Sequence, residues 1–189
     1  KGYGVDVIGR YLESKNIQNY LIEIGGEIRA KGINTVKNTS WKVGVQHPDL
    51  SGDIPYVNTL SLQDESMATS GTYRKFKLDE NGNRYAHIID TKTGYPSKTN
   101  VLSVSVIAND CMTADAYATA FQAMGIEKVT ELLKTHPELK VFFVFDLTMK
   151  NNFLSMEYPH LCPVLISNQP HYQENSDHVL PLLQCLCID

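Results

Sequence analysis

Val101-Leu102-Ser103-Val104-Ser105-Val106 runs on into Cys111-Met112-Thr113-Ala114-Asp115-Ala116-Tyr117-Ala118-Thr119-Ala120 and closes on Gly125. The first part alternates: Leu102, Val104 and Val106 share one side and Ser103 and Ser105 the other, as in a half-buried strand. The second part is rich in alanine. It is preceded by Asp110 and contains Thr113, either of which can accept an orphan N–H at a helix start, and Gly125 suits a helix end. The stretch therefore reads as strand, then helix. A second helix is expected over 127–135 and an apolar strand over 141–145.

Upstream, Val5, Ile8 and Leu12 recur at helical spacing, with Asp6, Arg10, Glu13 and Lys15 left for a polar face. Tyr20, Ile22 and Ile24 then alternate as in a strand until Gly25-Gly26 breaks the pattern, and residues 28–32 continue it. The run from Trp41 to Gln46 alternates again and is expected to pair in a hairpin with the strand before it. Residues 47–55 read as an exposed loop, and 56–62 as a further strand. Residues 67–76 and 85–89, joined through Asn81-Gly82, read as a hairpin, and Thr93-Gly94-Tyr95-Pro96 as the turn that ends it. Beyond about Met149 the prolines at 159, 163, 170 and 181 interrupt a segment without a sustained period. The expectation is one α+β domain over residues 1–150, a mostly antiparallel sheet with flanking helices, followed by an irregular, atypical tail over 151–189.

Composition narrows the function. With 189 residues, 42% of them apolar, the chain is long enough to bury a real core. A net charge of -4 and a pI near 5.9 leave no basic footprint for nucleic acid, and the 17 Lys and Arg residues are scattered. Cys111, Cys162, Cys185 and Cys187 show no C-x-x-C spacing, which speaks against a zinc site or a disulfide framework. No stretch approaches the roughly 20 apolar residues of a membrane-spanning helix. The chain opens at Lys1 as though inside an element.

Four short stretches carry chemistry. Asp115 and Thr119 are four apart, so a helix stacks a carboxylate and a hydroxyl on one face, both offering the oxygen that a hard cation such as Mg²⁺ requires. Taken alone, such an aspartate reads more simply as a carboxylate compensating a helix dipole. His87, with Asp90 three residues on, can supply a proton acceptor near neutral pH, or else be a structural histidine beside a turn cap. Ala68-Thr69-Ser70-Gly71-Thr72-Tyr73-Arg74 can offer backbone N–H groups to an anion and stack Tyr73 on a planar ring, or simply end a strand. Ile24-Gly25-Gly26-Glu27 admits close backbone approach. Nucleophile triads, Walker loops and GxGxxG patterns are absent.

Taken in order, Lys1-Gly2-Tyr3-Gly4-Val5-Asp6, residues 20–32 with their Ile-Gly-Gly-Glu centre, 41–48, 68–74, His87 to Pro96 and Val101 to Gly125 resemble the ApbE family of FAD:protein FMN transferases. The likeness runs over about residues 1–147 in six collinear motifs. It implies a T-fold-like portion of a flavin transferase: Mg²⁺-dependent, with FAD as substrate, FMN passing to a Thr or Ser hydroxyl of an acceptor protein and AMP released. It further implies Asp115 and Thr119 as metal ligands with Ala118 in the same ligand-bearing turn, and His87 as catalytic base. Tyr3 and Ile89 would line the FAD, with Ser70, Gly71 and Tyr73 joining them in binding it.

The implied partner is a flavin-acceptor protein of a membrane redox complex. The implied location, by the same analogy, is periplasmic or tethered to the membrane by a lipid. Family members carry a long segment ahead of the part resembled here, which supplies much of the flavin-binding wall and a backbone metal ligand. The tail beyond about Phe153 matches nothing in the family pattern. Two alternatives stay open: Mg²⁺-dependent hydrolysis of FAD to FMN and AMP, and flavin binding without turnover.

Overall fold

The structure is a computed structural model and describes residues 1–46, 56–72, 76–78, 84–86, 88–96, 101–146 and 161–166. Helix α1 (Gly2–Ser14) leads into strands β1 (Tyr20–Ile24), β2 (Glu27–Lys31), β3 (Trp41–Gln46), β4 (Tyr56–Leu62) and β5 (Ser66–Gly71). Then come β6 (Phe76–Leu78), β7 (Arg84–Ala86), β8 (Val101–Ala108), helices α2 (Cys111–Met124) and α3 (Ile126–Leu133), β9 (Lys140–Asp146) and β10 (Leu161–Ile166). Six strands form one sheet in the order β1-β2-β5-β8-β9-β10, and every pairing is antiparallel except the parallel β9–β10. The α+β class with a mostly antiparallel sheet is thus the observed one. No helix among the described residues is long and apolar enough to cross a membrane.

The sheet is covered on both faces. On one, Ala114, Ala118 and Phe121 of α2, with Val129 and Leu133 of α3, pack against Ala68, Val104, Val106, Val141 and Phe143. On the other lies the two-stranded ribbon β3–β4, whose Val43 and Leu62 meet Ala30, Met67 and Ile107, and whose Val45 meets Phe142 and Val144. Trp41 therefore starts a strand that pairs with β4, from Trp41–Leu62 to Gln46–Tyr56, and not with β2 as expected. Its indole N–H still ties the ribbon back, donating to the Lys31 carbonyl at 2.9 Å.

The ribbon also corrects the reading of β8. Ser103 and Ser105 are each 1% exposed, because the face assigned to solvent lies under β3–β4. Thr69 Oγ1 and Ser105 Oγ, 2.7 Å apart, share a hydrogen bond there. A register irregularity between Val101 and Ser103 moves Leu102 to the ribbon side, away from Val104 and Val106. Gly25 (φ +60°) and Gly26 (φ +100°) form the two-residue turn joining β1 to β2, a backbone that favours glycine at both positions.

The hairpin expected around Asn81-Gly82 is present as β6–β7, paired from Phe76–Ala86 to Leu78–Arg84, while the turn itself lies outside the described residues. Residues 67–71 instead belong to β5, between β2 and β8 in the main sheet. Asp110 caps α2, its Oδ1 accepting the Thr113 N–H at 2.8 Å, and Gly125 (φ +76°) ends it. Within the segment read as an irregular tail, Leu161–Ile166 form β10 alongside β9; the rest of 151–189 lies outside the described residues.

Candidate active site on the first turns of α2

Helix α1 turns a different face inward than its apolar spacing suggests. Gly2, Val5, Asp6 and Gly9 are buried, whereas Ile8 is 40% exposed. Two glycines explain this. A Cβ on Gly2 would stand 2.2 Å from the Cys111 carbonyl oxygen, and one on Gly9 would stand 2.7 Å from the Arg29 side chain. Bare backbone at these positions lets α1 lie directly against the start of α2 and against β2.

The buried charge of Asp6 is compensated completely. Its Oδ1 accepts the Cys111 N–H at 3.0 Å and the Arg29 guanidinium at 2.8 Å, and its Oδ2 accepts the Met112 N–H at 2.9 Å. Burial works to raise the Asp6 carboxyl, but the two N–H groups and Arg29 outweigh it and hold the group below its ordinary value. Arg29 also donates through Nη2 to Glu13 and through Nε to the Tyr20 hydroxyl, which ties α1 to β1 and β2. Polar residues assigned to a solvent face thus form the clamp between α1, the sheet and α2. Sequence offered one signal for it, an aspartate and an arginine each flanked by residues of opposite pattern, and that is too weak to find it.

Asp115 completes a reciprocal arrangement. It is the fifth residue of α2, as Asp6 is of α1, and its Oδ2 accepts the Gly2 N–H at 2.8 Å and the Lys1 nitrogen at 3.0 Å. Burial raises this carboxyl too, and the Gly2 N–H and the Lys1 side chain hold it low. Among the described residues Oδ1 accepts no hydrogen bond. The Lys1 ammonium reaches the buried Glu27 carboxylate at 2.6 Å and the Gly25 carbonyl at 2.9 Å, which brings the Gly-Gly-Glu turn to the same corner.

Thr119 lies one turn beyond Asp115. Its hydroxyl donates to the Asp115 carbonyl at 3.2 Å and lies 3.2 Å from Ser70 Oγ at the end of β5. With the proton so placed, the threonine oxygen remains an acceptor. Lys1, Tyr3, Met112, Asp115, Ala116 and Thr119 line an open concavity over these turns. Tyr3 is 61% exposed there, with the Arg10 guanidinium 5.6 Å from its ring centre. Among the described residues, no apolar packing fills the space before the Asp115 and Thr119 side chains.

The structure brings Asp115, Thr119, Ser70 and Tyr3 together. Ala118 is in the same turn, but its side chain is fully buried in the core, so only its backbone is on offer. Gly71 pairs with Ser103 one residue beyond Ser70. Ile89 is half-exposed in an isolated bridge with Pro96 and does not line the concavity. His87 and Tyr73 lie outside the described residues. Asp90, a candidate to orient His87, caps the following turn by accepting the Lys92 N–H at 2.8 Å.

The donors on α2 suit a small hard cation. Among the described residues no group of three His, Cys, Asp or Glu side chains converges. A carboxylate and a hydroxyl that line an open concavity match a cation that keeps several waters and completes its shell on phosphate.

Residues 1–143 match the model of the ApbE family, and the chain belongs to that family. It is 40% identical to the FAD:protein FMN transferase of Haemophilus influenzae over 144 residues, 76% of this chain and 41% of the relative. To the FAD:protein FMN transferase of Vibrio cholerae it is 43% identical over 128 residues, 68% of this chain and 37% of the relative. The solved flavin transferase ApbE from Vibrio cholerae superposes with a TM-score of 0.66 at 38% identity, covering 77% of this chain and 44% of that one. The chain therefore spans about two fifths of the length of the curated relatives it matches.

Proposed function

We propose that this chain carries part of a Mg²⁺-dependent flavin transferase that moves FMN from FAD to a Thr or Ser hydroxyl of an acceptor protein and releases AMP. The observation that carries the reading is the pairing of Asp115 with Thr119 on one face of α2, open to the concavity beside Tyr3. The relatives' names, which specify FAD, FMN and a protein, support the same reading.

In this reading the Asp115 carboxylate and the Thr119 hydroxyl oxygen would hold the cation, and the buried Ala118 would contribute only its backbone. Mg²⁺, when bound, offsets negative charge on the FAD diphosphate. The chain's own residues position the reactants. The Gly2 N–H fixes Asp115 through Oδ2, and Tyr3 offers a ring face to the flavin or adenine. The acceptor hydroxyl oxygen forms a bond to the FMN phosphorus while the bridging P–O bond to AMP breaks. His87 takes the hydroxyl proton, and AMP leaves with the bridging oxygen. By family likeness alone, the acceptor would belong to a membrane redox complex, and this protein would work in the periplasm or tethered to the membrane by a lipid.

The test is incubation with FAD and Mg²⁺, with and without an acceptor carrying a target threonine. Transfer predicts AMP and covalent flavin fluorescence on the acceptor. AMP without labelled acceptor replaces transfer by hydrolysis, and bound FAD without AMP reduces the chain to a flavin-binding protein.

A further inference from the structure

Asp6 touches no part of the concavity, yet it holds the helix that lines it. We infer that Asp6 is a positioning residue for the cation site, acting through the first turn of α2; the inference rests on the metal reading above. Three observations converge on it. Its carboxylate accepts the Cys111 and Met112 N–H groups, the first two of α2. The Arg29 guanidinium, itself held by Glu13 and Tyr20, locks that carboxylate against the sheet. In return, the start of α1 takes one oxygen of Asp115 through the Gly2 N–H.

The consequence is geometric. An α-helix advances about 100° per residue, so a rotation of the first turn moves every downstream side chain about the axis. Asp115 lies one turn from the clamped N–H groups. With Asp6 in place, Oδ2 of Asp115 is committed to α1, Oδ1 accepts no hydrogen bond among the described residues, and Asp115 lines the concavity together with Thr119. Without it, two N–H groups of the first turn of α2 lose their acceptor, and the turn that carries Asp115 loses its anchor to α1 and Arg29. Outer partners of this kind typically change metal affinity by about 10–100-fold.

The experiment measures direct Mn²⁺ binding by electron paramagnetic resonance, without FAD, together with thermal unfolding, for the parent chain and two variants. Asp6→Asn keeps the side chain's shape but replaces one acceptor oxygen with a donor. Glu13→Gln weakens the same Arg29 cluster without touching α2. The expected result is Mn²⁺ affinity at least about 10-fold weaker in Asp6→Asn and within about 2-fold of the parent in Glu13→Gln, with both proteins folded. Equal affinity in Asp6→Asn and the parent overturns the positioning role while leaving the metal site standing. Matched losses in both variants overturn it too, since they reduce Asp6 to general stability. A parent chain that binds no Mn²⁺ overturns the reading that the oxygens on α2 by themselves hold the cation, and the inference with it. If Asp6→Asn does not fold, Arg29→Lys takes its place. That variant leaves the carboxylate on α2 but removes the planar fork that locks it, and an unchanged affinity there counts against the role.

Discussion

The Asp6 carboxylate accepts the first two N–H groups of α2, and the Asp115 carboxylate, at the same position of its own helix, accepts the first N–H of α1. Each helix start is thereby capped by the other helix. Capping across a helix pair satisfies orphan donors and sets a negative charge at the positive end of each dipole. It also makes one carboxylate oxygen of Asp115 structural, while the other accepts no hydrogen bond among the described residues.

Asp115→Ala removes both uses. We expect Mg²⁺-dependent release of AMP from FAD to be abolished, with a loss of about 1.5 kcal/mol of stability from the lost charge-assisted bond to Gly2. Chromatographic assay of AMP, paired with urea unfolding, checks this. Parental turnover in the variant would remove Asp115 from the metal site.

Thr119→Val keeps shape and removes the hydroxyl. Divalent-cation affinity should fall about 10-fold, and Thr119→Ser should restore most of it, with stability of both within about 1 kcal/mol of the parent. Calorimetric titration with Mg²⁺ is the measurement. A valine variant that binds as tightly as the parent would show that the oxygen is not a ligand.

Gly2→Ala and Gly9→Ala should differ although both lie on the inner face of α1. The new Cβ at Gly2 meets backbone at Cys111, which cannot move without shifting α2, and we expect a loss of about 2 kcal/mol together with weakened cation binding. At Gly9 it meets side-chain atoms of Arg29 and Tyr20 rather than backbone, and these give way at a smaller cost, that of loosening their hydrogen bonds to Asp6 and Glu13. A Gly2 variant less affected than the Gly9 variant contradicts the close approach of α1 to α2.

The pH dependence follows from Asp6. Its carboxyl is held below 3.8 in the folded chain, so its contribution is complete above that value and is lost as pH falls through the depressed folded value. In that acidic window the unfolded state binds the extra proton, and stability should fall by up to about 1.4 kcal/mol per pH unit from this group. Asp6→Asn should be less stable than the parent at neutral pH, and the gap should narrow on acidification below 3.8. Urea midpoints across the acidic range test this. A gap that stays constant with pH contradicts a depressed Asp6.

Much of the element order was legible because it depends on local pattern. The alternation in 41–46 and 101–106, the Asp110 and Gly125 signals around α2 and the glycine pair at the β1–β2 turn all report on neighbours in sequence. Pairing partners were not legible in the same way. Nothing local to Trp41 distinguishes β4 from β2 as its mate, since both are amphipathic strands of similar length. The burial of Ser103 and Ser105 was hidden for the same reason, because the ribbon that covers them is contributed by residues far away in the chain.

The site divides along the same line. Asp115 and Thr119 were found together because four residues of a helix place them on one face regardless of the rest of the fold. Residue spacing along the chain, with the capping and turn residues that punctuate it, was enough to set which segments are helix or strand and which oxygens stack on α2. Tertiary structure alone decided that α1 buries Gly2, Gly9 and Asp6 rather than Ile8, and that Asp115 accepts the Gly2 N–H. Those outcomes turn on distances of about 3 Å between residues more than a hundred positions apart, and the free energy of a buried charge depends on which donors arrive beside it.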